Sequence, residues 1–425
     1  MKILIKEGKI VDPYNEREEI SDILIENGRI LKIEKEIKLD EQNLKLLDAK
    51  GKIVCPGFID IHTHLREPGY EYKETIATGT KAACRGGFTT IFCMPNTNPV
   101  CDNKTVVEFI LKKAKEESVI SVYPVGAITK NLEGKELSEI GEMKESGIVA
   151  ISDDGKCVQN SKIMRYAMEY ASQFNIPVIS HCEDENLSNK GVMNEGYYST
   201  VLGLKGIPSQ SESIIVERDI QLSELTGCQL HLTHLSCKKS VELVRIAKRK
   251  KLNVTCDVTP HHLLLTEENL INYDTNLKVN PPLRTKQDQI TLIEGLKDGT
   301  IDCIATDHSP HAIEEKEVEF DYAPFGISSI EIAVSLIVSE FVNKGILTFR
   351  ELVEKFSVNP AKIFNLNKGK ISPGESVDIV IIDPELEWEI DVNKFYSKGK
   401  NSPYNKKRLK GKVIAVLKEG KIFQF

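Results

Sequence analysis

Eight short runs rich in Val, Ile and Phe recur through the middle of the chain, at residues 53–60, 88–94, 120–125, 148–151, 177–180, 229–233, 253–258 and 301–305. Runs of this length and composition read as strands. Between several of them lie stretches with helical periodicity. Residues 104–117 place Val107, Ile110, Leu111 and Ala114 on one face, and residues 239–251 and 286–297 repeat the pattern. A long apolar pattern over residues 329–342 follows the eighth run. Eight strand–helix units in about 310 residues fit a (β/α)8 TIM barrel. An open doubly wound sheet fits less well, because no Gly-rich nucleotide fingerprint follows any of the strands.

The two ends of the chain read differently. Residues 2–7 form a strand, and residues 8–13 are expected to turn. Residues 21–26 alternate, Asn27-Gly28 is a type I′ hairpin signal, and residues 29–33 return. Residues 377–382 and 413–417 are strand-like in turn, the latter followed by Glu419-Gly420-Lys421-Ile422. Neither end has an obvious core of its own, so both are expected to pair into one small β domain. The expected organisation is residues 1–55 and 369–425 for that domain and 56–368 for the barrel.

Composition narrows the function. Lys and Arg total 56 against 63 Asp and Glu, a net charge of −7, which argues against a general nucleic-acid binder. No run of about 18 apolar residues suggests a membrane span. The N-terminal residues are charged within a few positions and lack a signal-peptide core. Ten cysteines are scattered with no C-x-x-C pair, which fits a reducing cytoplasm better than a disulfide framework. The basic runs 248–251 and 406–408 are short enough to be solvated surface.

The histidines carry the chemistry. All nine fall at 62, 64, 181, 231, 234, 261, 262, 308 and 311. Several sit where a barrel strand would end: His62 and His64 after the first, His181 after the fifth, His234 after the sixth. The fourth ends at Asp153-Asp154 and the eighth at Asp307-His308. Barrel active sites are built at the carboxyl ends of the strands. On a strand, His62-x-His64 presents both rings on one face. Alone, that pair fits two polar loop residues as well as two ligands. With His181, His234 and Asp307 at other strand ends, it points to a divalent metal such as zinc. More than four ligands implies two ions, with Asp153 or Asp154 as the candidate bridge. A metal lowers the pKa of water from about 15.7 to about 7. Asp307 could serve as both ligand and base.

These residues also carry a family resemblance. Residues 56–64, Pro-Gly-Phe-Ile-Asp-Ile-His-Thr-His, are similar to the signature of the amidohydrolase superfamily. The continuation Leu65-Arg66-Glu67-Pro68-Gly69 with Lys73-Glu74 resembles the bacterial class I dihydroorotases. So do residues 86–90, 94–99, 153–155, 259–262, 278–284, 305–311, 369–374 and 402–404, which extend the resemblance over nearly the whole chain.

The resemblance implies a zinc enzyme that reversibly hydrolyses the cyclic amide of (S)-dihydroorotate to N-carbamoyl-L-aspartate in pyrimidine (UMP) biosynthesis. It implies that His62, His64 and Asp307 hold one ion and that His181 and His234 hold the other. The family spacing favours Asp154 as the bridge, in place of the carboxylated lysine of many relatives. Arg66, Asn96 and His311 would hold the substrate carboxylate, with His64 beside them. Asn280 and the backbone at Phe325-Gly326 would contact the ring. Arg66 lies two positions past a ligand, so alternation also turns it toward the mouth, where a guanidinium fork suits a carboxylate.

His231, three positions before His234, is expected to face the helices as packing. His261, His262 and His308 either orient ligands or fill core. The rivals are a hydantoinase, dihydropyrimidinase or allantoinase, and a non-catalytic subunit that scaffolds aspartate carbamoyltransferase. The substrate is expected to be a small molecule and the protein a cytoplasmic homo-oligomer, with room for aspartate carbamoyltransferase as a partner.

Overall fold

The computed structural model describes residues 2–39 and 44–425. Met1 and residues 40–43, which fall within the segment 1–55, lie outside the described residues.

Eight parallel strands close into a barrel. In chain order they are Phe58–Thr63, Phe88–Cys93, Ser121–Pro124, Ile151–Ser152, Val178–Ser180, Leu230–Leu232, Val254–Val258 and Cys303–Ile304. The first three pair with one another, as do the last five. A bridge from Gly126 to Ile151 joins the two groups, and one from Thr63 to His308 closes the ring. Alternation divides the strand residues between two cores. Ile59, Ile61, Phe92, Ile179, Cys303 and Ala305 pack inside the barrel with Phe364. Phe58, Phe88, Ile91, Val178, Leu230 and Leu232 face outward onto helix residues such as Val107, Ile110, Met164, Ala167, Val241 and Leu292.

The helices expected from periodicity form at Lys104–Glu117, Lys238–Arg249 and Lys286–Lys297. Asn103 and Thr285 cap two of them by accepting bonds from first-turn amides. The stretch 329–342 forms a helix at Ala333–Ile337 that widens into a π-helical turn at Val338–Val342. The longest helix, Gln210–Thr226, has no clear apolar stripe in the sequence. Its buried face carries Ser211, Glu212, Ser213 and Asp219, so periodicity gives no signal. Those residues have partners at the strand ends. Glu212 accepts from the amide of Ser236 at 3.1 Å, and Asp219 accepts from the Ser180 hydroxyl at 2.6 Å.

Segments from both ends build one further eight-stranded sheet. Lys2–Asp12 pairs with Arg17–Glu26, Leu44–Asp48 and Ile53–Pro56, and Arg17–Glu26 pairs with Arg29–Glu34. Ile53–Pro56 then pairs antiparallel with Asp378–Glu389, which continues to Arg408–Lys418 and Lys421–Gln424. Ile3, Ile5, Ile10, Ile23, Ile25, Val54, Ile379, Ile381 and Leu417 make its core.

Two expectations about the first segments are corrected. Residues 8–12 do not turn; the strand runs on to Asp12 past a bulge between Ile5 and Gly8. A Cβ at Gly8 would lie 2.4 Å from Val54 Cγ2, so glycine is there for close packing. The turn comes at Pro13–Asn15, capped by the Asp12 carboxylate. The run 53–60 is two strands, split at Gly57 between the terminal sheet and the barrel. A Cβ on Gly57 would come within 2.1 Å of Thr89 Oγ1. No helix of the described residues is long and apolar enough to cross a membrane.

Candidate metal centre and active site

The strand ends bring His62, His64, Asp154, His181, His234 and Asp307 together, all buried. Two groups of potential ligands result. His62, His64 and Asp154 form one, and Asp154, His181 and His234 the other; within each, the ligand atoms lie within 4.8 Å of one another. Asp154 belongs to both. Its Oδ1 lies 3.2 Å from His62 Nε2 and 3.5 Å from His234 Nε2, and its Oδ2 lies 3.4 Å from His64 Nε2. Asp307 Oδ1 sits 3.1 Å from His64 Nε2 and 3.5 Å from His62 Nε2.

Asp153 points elsewhere. Its carboxylate accepts from the amides of Ile128 at 2.7 Å and Thr129 at 3.0 Å and from the Thr129 hydroxyl. It ties the third and fourth strand ends together and has no place in either ligand group.

The donor set fits a divalent cation. Among the described residues, His62 Nε2 and Asp154 Oδ1 are buried with no hydrogen-bond partner, although they face each other. Unpartnered buried polar atoms are costly, and a cation between them would satisfy both. The electrostatics agree. Burial pushes the Asp154 and Asp307 carboxyls up, but the surrounding imidazoles of His62, His64 and His234 together outweigh it, and both are held below the usual carboxylate range. Burial likewise opposes a charge on His62, yet Asp154 and Asp307 push that imidazole up to about 10. Two buried carboxylates here draw positive charge into the site, and a metal ion supplies it.

The other ring nitrogens are also engaged, as metal-binding imidazoles require. His62 Nδ1 is 2.7 Å from Thr233 Oγ1, whose hydroxyl donates to Asp257 at 2.8 Å. Thr233 is therefore the acceptor for His62 Nδ1–H, which leaves Nε2 as the nitrogen turned toward the ligand group. Asp257 also accepts from the His234 amide at 2.8 Å. His64 Nδ1 bonds Asn96 Oδ1 at 2.9 Å, and His181 Nε2 lies 3.0 Å from Glu183. No motif in the sequence marks Thr233, Asp257 or Glu183. The available signal was a carboxylate one or two positions from a strand end or from a histidine.

His231 is corrected. It lies between the outward-facing Leu230 and Leu232, and its ring packs on Phe364 inside the barrel, 5.5 Å between centroids. It bonds Asp257 at 2.9 Å and Thr255 at 2.8 Å. Counting back from His234 fails because the strand ends at Leu232 and His234 has φ +40°. Alternation does not survive a left-handed residue. Of the remaining histidines, His262 bonds Thr259 and the Pro281 carbonyl, and burial pushes its imidazole down to about 3. His308 accepts from the Ser329 amide and passes its own carbonyl to the His64 amide at 2.9 Å.

A cavity of about 280 Å³ opens over the ligands. His64, Arg66, Asn96, Asn280, His311, Phe325 and Gly326 all line it, alongside Asp154, His181, His234 and Asp307. Arg66 reaches it from a left-handed backbone, φ +63°, beyond the strand end, and not by simple alternation. Its Nε donates to the Pro310 carbonyl at 3.2 Å, and its Nη2 lies 3.3 Å from His311 Nε2. Burial and the Arg66 charge push that imidazole down to about 3, while its Nδ1 faces Glu315 Oε2 at 3.2 Å and its Nε2 the Phe325 carbonyl at 2.9 Å. Gly326 has φ +139°, and a Cβ there would lie 2.5 Å from Ser309 Cβ. Only glycine lets this wall approach so closely.

Comparison with known proteins agrees with this geometry. A family model described as Dihydro-orotase-like matches residues 51–240. The fold superposes on a dihydropyrimidinase from Brevibacillus agri with a TM-score of 0.86, at 25% identity, over 99% of this chain and 95% of that one. Barrel, ligand groups and neighbours together define a metal-dependent cyclic amidohydrolase. A dihydroorotase from Acetivibrio thermocellus is 53% identical over 420 residues, 99% of this chain and 98% of that protein. One from Syntrophus aciditrophicus is 51% identical over 422 residues, 99% of both. The chain belongs to the dihydroorotase family.

Proposed function

We propose that the chain catalyses the reversible hydrolysis of the ring amide of (S)-dihydroorotate to N-carbamoyl-L-aspartate, as a step of pyrimidine synthesis in the cytoplasm, with two zinc ions. The observation that carries this reading is Arg66. Its guanidinium lines the same cavity as the metal ligands, yet its hydrogen-bond partners there are a carbonyl and an imidazole, with no carboxylate among the described residues. A ring bearing a carboxylate supplies the missing anion. Neutral hydantoin and dihydrouracil do not.

In this reading His62, His64 and Asp307 would hold one ion, His181 and His234 the other, and Asp154 would serve both. Zinc held there would supply Lewis acidity: a nucleophile from water near neutral pH and a polarised ring carbonyl. Arg66, Asn96 and His311 bind the substrate carboxylate. The His64–Asn96 bond links that grip to the metal ligands. Asn280 and the Phe325–Gly326 backbone hold the ring. Asp307, kept ionised in the resting site, takes the proton of the attacking nucleophile on a carboxylate oxygen. As the C–O bond forms and the ring C–N bond breaks, it returns that proton to the departing nitrogen.

The test is turnover of dihydroorotate, dihydrouracil and hydantoin by the purified protein, before and after chelation. Chelated protein should be inactive and zinc should restore it. A wild-type preference for either neutral ring would overturn the substrate assignment. The proposal extends to a homo-oligomer and to association with aspartate carbamoyltransferase, both read by analytical ultracentrifugation of the protein alone and mixed with that enzyme.

A further inference from the structure

Glu183 stands two residues beyond His181 on the loop leaving the fifth strand. One of its oxygens, Oε2, lies 3.0 Å from His181 Nε2 and 2.7 Å from Asn280 Nδ2. The backbone that carries it is anchored on both sides. The Glu183 carbonyl accepts from Gln159 Nε2 at 2.9 Å, and the next residue, Asp184, donates its amide to Ser211 at 2.8 Å.

We infer that Glu183 is a positioning residue that couples the second ligand group to recognition of the substrate ring, by fixing the tautomer of His181 and the amide orientation of Asn280 through one oxygen. An ionised carboxylate only accepts hydrogen bonds, so both partners must present N–H to it. For His181 this places the proton on Nε2 and leaves Nδ1 as the lone pair. Nδ1 is the atom that lies 2.9 Å from His234 Nε2 and 3.8 Å from Asp154 Oδ1. For Asn280 it commits the NH2 group to Glu183. The amide oxygen is then what Asn280 offers to the cavity it lines. The site thus presents an acceptor suited to a ring N–H, a statement that rests on the proposed cyclic-amide substrate. A ring methylated on that nitrogen should be rejected.

The test uses the full-length holoenzyme. Glu183→Met removes both acceptors and keeps the stem, and Glu183→Gln keeps one oxygen. Zinc affinity is measured by competition with a chromophoric chelator. In Glu183→Met, one of the two ions should bind about 10–100-fold more weakly, with the other unchanged. Glu183→Gln should recover part of the loss. KM for dihydroorotate should rise in Glu183→Met, and adding Asn280→Ala should raise it little further, because the amide is already released. Wild-type affinity for both ions overturns the inference, and so do KM increases that multiply in the double variant. Equal loss of both ions with a lower melting temperature marks a packing role and also overturns it. The zinc titration needs no substrate. Failure of the wild type to turn over dihydroorotate would therefore sink the proposed reaction without deciding the tautomer arm.

Discussion

The terminal sheet and the barrel mouth come from one chain under opposite rules. In the sheet, buried positions are filled by Ile3, Ile5, Ile23, Ile25 and Ile379, and the Asn27-Gly28 turn uses residues that adopt positive φ cheaply. At the mouth, buried positions carry four imidazoles and two carboxylates, and the positive-φ residues include Arg66, His234 and Asp307. Each such non-glycine residue costs on the order of 1–3 kcal/mol. The sheet stabilises the fold through its apolar core, and its own positive-φ residues, Glu7, Glu16 and Glu419, sit at a bulge and at turns. At the mouth the left-handed residues and the unpartnered His62 Nε2 and Asp154 Oδ1 belong to the ligand groups and cavity wall themselves.

The comparison can be broken, or sharpened, by experiment. The largest effect expected is from removing metal: chelation, or Asp154→Ala, should abolish turnover while circular dichroism shows the fold intact. Full activity in verified metal-free protein would mean the ligand groups are structural. Next, Asp307→Asn should lower kcat by roughly 10²–10⁴-fold, beyond any loss of metal. Near-normal turnover in both directions would assign the base elsewhere. Arg66→Met should cost about 2–5 kcal/mol in kcat/KM for dihydroorotate, with metal content unchanged and little further loss on dihydrouracil. Equal losses on both rings would show that Arg66 shapes the cavity without reading a carboxylate.

The sheet should answer in a different currency. Ile25→Ala should destabilise by about 2–5 kcal/mol in denaturant unfolding and leave kcat per folded molecule unchanged. The smallest effect is expected from Gly28→Ala, about 1–2 kcal/mol, from its φ of +76° and a new Cβ 3.0 Å from the Glu419 backbone. If either sheet variant moved kcat, the separation between the two regions would fail.

The same contrast explains what could be read from the sequence. Alternation and hairpin chemistry announced the sheet, and eight apolar runs announced the barrel, because in those parts local preference and final structure agree. The ligands were legible because their types are rare and sit at strand ends. What escaped, beyond the strand limits at residues 8–12 and at Gly57, lies mostly around the site. His231, Asp257 and the helix Gln210–Thr226 place polar groups inside, where periodicity treats them as surface. His231 was also miscounted from His234, whose left-handed backbone lies beyond the strand end, where alternation loses count. Residue chemistry alone left Asp153 and Asp154 equivalent; the family spacing favoured Asp154, and the physical reason is that two amides and a hydroxyl from the third strand's loop hold Asp153.

The split origin of the terminal sheet has a consequence in time. Pro56 finds its partner only when Ile379 exists, about 320 residues later. At a synthesis rate of about 5–20 residues per second, the first hairpins wait roughly 15–65 s with an open strand edge. During that interval the barrel strands are emerging next to them. A newborn chain is therefore exposed to mispairing for most of its synthesis, and slowing the ribosome over residues 56–379 should lower the soluble yield.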